Sequence, residues 1–170
     1  MTRTATVEDI PALQALIHSA YRGDSSRAGW TSEADLLDGN RTDGDMIRAD
    51  LHDPASTVFV LEDDEGLLGT CVVTDRGDGT CYFGTFAVRP TAQGHGIGDA
   101  LLAHAEAFAR SLGADVMEMT VITRRTDLIA WYVRRGYAPT GETRPFPYGD
   151  DRFGLPRVDD LEFTVLAKQL

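Results

Sequence analysis

At 170 residues, 42% of them apolar, the chain is long enough to bury one sizeable core, and a single domain spanning residues 1–170 is expected. Its formal charge of -11, with 16 basic residues scattered among 27 acidic ones, argues against a nucleic-acid surface, which needs clustered Lys and Arg. No apolar run is long enough to span a membrane, and the first positions mix Arg3, Glu8, Asp9, Pro11 and His18, so a cytoplasmic protein without a membrane partner is expected.

Thr2–Thr6 reads as a short strand. Thr6, with Asp9 three positions on, then caps a helix whose Ile10, Leu13, Ile17 and Tyr21 share one side. In Gly29–Gly39 (GWTSEADLLDG), Thr31 or Ser32 is placed to cap a short helix, and Asp45–Leu51 is a further helical piece. Thr57–Leu61 and Leu67–Thr74 flank the turn residues Asp63, Asp64, Glu65 and Gly66, which predicts a hairpin; Arg76–Gly79 then turns the chain into Cys81–Val88. This register sets Cys71 roughly opposite Gly84, so two reduced thiols are expected.

An amphipathic helix follows over Gly98–Leu112 and ends at Gly113. Val116–Ile122 is a strand, Thr126–Arg135 a helix stopped by Gly136, and Tyr137–Thr143 another strand. Arg144–Arg157 holds three prolines and reads as irregular, and Asp160–Lys168 closes as a strand. The order predicts an α/β (α+β) fold: a mixed, mostly antiparallel sheet of about six or seven strands with helices on both faces. Successive hairpins exclude a purely parallel, doubly wound sheet.

Between Val88-Arg89-Pro90 and the long helix lies Gln93-Gly94-His95-Gly96-Ile97-Gly98. The first N–H groups of a helix have no intrahelical partners and carry partial positive charge, so glycines there allow an anion to approach closely. A P-loop is excluded because Gly98-Asp99-Ala100 stands where Gly-Lys-Ser/Thr would be needed. A dinucleotide fingerprint is excluded because the spacing is GxGxG and the preceding strand belongs to a hairpin.

Val88-Arg89-Pro90 with Gln93-x-x-Gly96-x-Gly98 resembles the main cofactor motif of the GNAT superfamily of acyl-CoA N-acyltransferases, and Leu128 to Tyr137 (LIAWYVRRGY) resembles that family's second motif. The resemblance implies acetyl-CoA as co-substrate, no metal, and transfer of an acetyl group to a primary amine of a small molecule or peptide by direct attack. It also implies that Phe86, Ala87 and Val88 offer backbone groups to the pantetheine arm. The pyrophosphate would then lie on Gln93, Gly94, His95, Gly96, Ile97, Gly98 and Asp99. Tyr132 matches the family's acid position. The strand before the glycine loop lacks the carboxylate that many members carry, which leaves Glu118 as the candidate base ahead of Glu33 and Asp35, and a noncatalytic acyl-CoA-binding or sensing domain as the alternative.

On the acceptor side, Trp30, Glu33 and Asp35 could hold an ammonium by charge and cation–π attraction, and Phe146, Tyr148 and Phe153 could form a lid. Ordinary packing is the competing reading for each. Arg124 or Arg125 could reach phosphates, and Asp99 beside a bound pyrophosphate would repel it unless turned away. The four histidines show no metal-ligand spacing, and a homodimer is compatible with this fold.

Overall fold

A computed structural model describes all of residues 1–170. The chain runs β1 (Thr2–Thr4), α1 (Ile10–Tyr21), the single-turn α2 (Gly23–Ser26), β2 (Leu37–Asp38), α3 (Gly44–His52), β3 (Ser56–Asp63), β4 (Gly66–Asp75) and β5 (Thr80–Val88). It continues through α4 (Ile97–Ser111), β6 (Val116–Ile122), α5 (Thr126–Val133), β7 (Ala138–Pro145), β8 (Leu155–Pro156) and β9 (Glu162–Gln169). Seven strands form one sheet in the order β1-β3-β4-β5-β6-β9-β7, and β2 pairs with β8 apart from it. Every pair is antiparallel except β5 with β6.

Alternation along the strands explains the two-sided sheet. Val58 and Val60 of β3 belong to a core with Ile10, Leu13 and Ile17 of α1, whereas Phe59 and Leu61 join Leu101, Leu102 and Ala105 of α4. Because both faces are covered, β3 reads as a continuous apolar run.

The parallel pairing of β5 with β6 covers only Thr80–Tyr82 against Val116–Glu118. Beyond it the strands part, and residues of both line a common cavity. On its other side β5 stays paired with β4, but the register shifts between Thr70 and Val72. Opposite that bulge Thr85 adopts φ +45°, the sole positive value at a non-glycine residue. Such a residue costs on the order of 1–3 kcal/mol and persists because the surrounding sheet imposes it. Cys71 sits in the shift next to the Val72–Gly84 pair, and both cysteines are buried and free, as expected.

Two expectations are corrected. No helix follows Thr31 or Ser32: Leu36 and Leu37 donate their N–H groups to the Glu33 carbonyl, and the chain passes directly into β2. The cause is the burial of Glu33, described below, which pulls the segment inward. The stretch from Arg144 to Arg157 is less irregular than its prolines suggest, since β7 extends to Pro145 and Leu155–Pro156 pairs with Leu37–Asp38. Prolines are tolerated there because β7 is a sheet edge and β8 belongs to a two-residue bridge.

Candidate active site

The first cavity, about 350 Å³, lies along β5 and the start of α4. From Phe83 to Val88 the β5 edge facing β6 has no strand partner, so its backbone is free to meet an extended ligand. Two carbonyls are already engaged: Tyr21 Oη donates to Phe86 O at 2.5 Å, and Gln93 Nε2 donates to Val88 O at 3.3 Å. At the far end, Gly94 and Gly96 take φ of +83° and +81°, values that a side chain would strain. Gly96 is the N-cap of α4, so the helix begins with its free N–H groups at the cavity.

Gly98 is confined for a different reason. A Cβ there would come within 3.2 Å of Phe86 Cζ and 3.4 Å of Trp131 Cζ2. Arg134 and Arg135 line the same rim. The Arg135 guanidinium stacks 3.5 Å from the Trp131 ring centroid and donates to Asp99 at 2.5 Å, and this pairing holds the Asp99 carboxyl below its usual range. The negative charge expected to repel a pyrophosphate is therefore answered locally.

The second cavity, about 400 Å³, fills the gap between β5 and β6. Tyr132 lines both cavities. Its side chain is buried, yet its hydroxyl makes no hydrogen bond within the protein. Burial pushes this hydroxyl well above the ordinary tyrosine value, so it remains a proton donor throughout the physiological range. Tyr21 and Arg125 also line both cavities.

A model of the acetyltransferase (GNAT) family matches residues 15–137. The chain belongs to that family. Among solved structures, the chain resembles a ribosomal-protein-alanine N-acetyltransferase from Brucella melitensis with a TM-score of 0.74, at 21% identity over 100% of this chain and 99% of that one. The ribosomal-protein-S18-alanine N-acetyltransferase from Escherichia coli gives 0.73 at 15% identity, over 99% of this chain and 92% of that one. Nourseothricin acetyltransferase gives 0.70 at 23% identity, over 99% and 97%. These likenesses establish the shared fold. A search of curated protein sequences returns no match. The GNAT chain is thus an acyl-CoA-dependent N-acetyltransferase, and the catalytic reading prevails over the sensing one.

Within this acetyltransferase, Phe86, Ala87, Val88, Gln93, Gly94, Gly96, Gly98 and Asp99 all line the first cavity. His95 is exposed and directs Nδ1 at the Ala92 and Gln93 carbonyls, while the Ile97 side chain packs on the core. Gln93 acts as a clip, since its Oε1 accepts from Trp30 N at 3.0 Å. Trp30 consequently borders the first cavity and not the second. Tyr148 lies outside both cavities, donating to Val158 O and accepting from Leu161 N, whereas Phe146 and Phe153 do reach the second.

The carboxylates depart most from expectation. Glu118 borders neither cavity; its Oε1 accepts from Arg76 at 2.7 Å and from Arg144 at 3.0 Å. Glu33 does line the second cavity, but it is buried between Arg22 and Arg125 and is not free to hold an ammonium. Asp35 is exposed and pairs with Arg27. Arg124 pairs with Asp160 and Arg125 pairs inward with Glu33, while Arg134 and Arg135 join Arg125 in lining the first cavity. Tyr21 and Arg41 were not legible as site residues: Tyr21 reads as one more apolar position of α1, and nothing local marks Arg41.

Proposed function

We propose that this acetyltransferase transfers an acetyl group from acetyl-CoA directly to a primary amine of a small molecule or peptide, with Tyr132 as the acid. Acetyl-CoA, when bound, supplies the acyl group as a thioester. The unpaired β5 edge fits an extended pantetheine arm, and the loop at Gly94, Gly96 and Gly98 fits a pyrophosphate, because no Cβ obstructs the α4 N-terminus. The amine would occupy the cavity between β5 and β6.

The observation that carries this reading is Tyr132, which lines both cavities and whose hydroxyl has no hydrogen-bond partner within the protein. There it can hold a proton for the departing sulfur. Tyr132→Phe removes no internal hydrogen bond, so the fold should persist. We expect kcat to fall at least about tenfold with acetyl-CoA affinity unchanged, as for loss of a proton donor. Stopped assays of thiol release with calorimetric binding check this, and an unaltered kcat would exclude Tyr132 from the reaction.

No carboxylate lining either cavity is free to act as a base, since Asp99 and Glu33 are both held by arginines. The amine is therefore proposed to react from its neutral form in solution. On this reading log(kcat/KM) rises with pH at a slope of about one until the amine's own pKa is passed. Tyr132, raised by burial and still protonated, adds no falling limb below the ordinary tyrosine value. Glu118→Gln should leave this profile unchanged. A profile displaced selectively at low pH in that variant would reinstate Glu118 as the base.

A further inference from the structure

The charge around the second cavity does not balance. Glu33, Arg41, Arg125 and Arg144 are its charged lining residues. Arg144 is answered by Glu118 and Glu142. Glu33 alone answers both Arg125 and the adjoining Arg22, which are 8% and 2% exposed, so one carboxylate faces two buried guanidiniums. The Nε of each has no hydrogen-bond partner. Arg41, half-buried, has no carboxylate at ion-pair distance; its guanidinium lies 4.9 Å from the Tyr21 ring centroid, and that of Arg125 lies 6.0 Å from the same ring. The chain as a whole carries -11, yet this wall has a surplus of positive charge.

We propose that the amine acceptor carries an oxoanion, either a carboxylate or a phosphorus acid, and that Arg41 and Arg125 receive it; this rests on the acyl-transfer reading above. One carboxylate shared between two buried guanidiniums leaves a deficit of negative charge beside the unpaired Arg41, and a ligand oxoanion supplies it with charge-assisted hydrogen bonds. A polycationic amine would meet the same surplus and find no free carboxylate. Phe83, Phe146, Phe153 and Phe163 are among its apolar lining residues, which suits an acceptor with an apolar body of amino-acid size.

The test compares leucine, methionine and phenylalanine with their own carboxamides and with the matching α-aminophosphonates, following thiol release from acetyl-CoA. The carboxamides are less basic and more often neutral, so amine chemistry alone favours them. We expect the oxoanion-bearing members to be favoured at least about 30-fold in kcat/KM, from charge-assisted hydrogen bonds. In Arg41→Gln the preference should fall to within about threefold, with the KM for acetyl-CoA unchanged. Whichever oxoanion leads identifies the acceptor's acid group, and amides reacting as well as acids would overturn the inference. Calorimetry of N-acetyl-phenylalanine against its amide, on the CoA-loaded protein, provides a readout without turnover. Selective binding of the acid without thiol release in any arm would sustain the oxoanion site and refute the proposed transfer to an amine held in this cavity. Release without preference would do the reverse.

Discussion

Gly98→Leu is expected to raise the dissociation constant for acetyl-CoA at least about 100-fold, equivalent to losing two charge-assisted hydrogen bonds of about 1.5 kcal/mol each. The backbone at Gly98 is helical and belongs to α4, so the substitution carries no penalty of positive φ. Helix propensity in fact improves by up to about 1 kcal/mol when glycine is replaced. The harm comes from space: even a Cβ would press on Phe86 and Trp131, and a longer chain has only the cavity to enter. Gly98→Ala, needing only a few tenths of an ångström from those rings, should weaken binding far less. Calorimetric titration with CoA, beside urea unfolding, separates lost binding from lost fold. Binding within about threefold of the parent in Gly98→Leu would show that the phosphates lie elsewhere.

The lining of the first cavity was legible because its residues are local in sequence. A strand, three glycines and the start of α4 occupy consecutive positions, and Tyr132 falls on a helix whose motif surrounds it. Hairpins were equally readable, since apolar runs flank turn residues such as Gly66 and Gly79, both at positive φ. The surroundings of the candidate carboxylates depend on partners remote in sequence. Glu118 meets arginines 42 and 26 positions away, and Glu33 meets Arg125 across 92. A mid-strand glutamate looks the same in sequence whether it faces a substrate or two guanidiniums. The carboxylate pattern near Trp30 suggested an ammonium site for this reason, although the folded chain surrounds the same carboxylate with cations.

Glu33→Gln should lower the stability of the fold by about 3–5 kcal/mol, the usual cost of leaving a buried charge without its partner. Glutamine preserves the shape and one hydrogen-bond acceptor, but it leaves Arg22 and Arg125, both almost wholly buried, with no opposing charge. The consequence extends to the donor cleft. Arg125 also donates to Thr31 Oγ1 at 3.0 Å, and the neighbouring Trp30 N–H is held by Gln93 in the glycine loop. Segment 29–33 thus connects the buried ion pair to the proposed phosphate cradle, and loosening it should raise the KM of both substrates. Urea denaturation measures the first effect and initial-rate kinetics the second. A variant that kept its stability within about 0.5 kcal/mol, as surface substitutions do, while losing only amine affinity would mark Glu33 as an ammonium ligand after all. Loss of stability with both affinities weakened would instead establish that its charge holds the two halves of the cleft together.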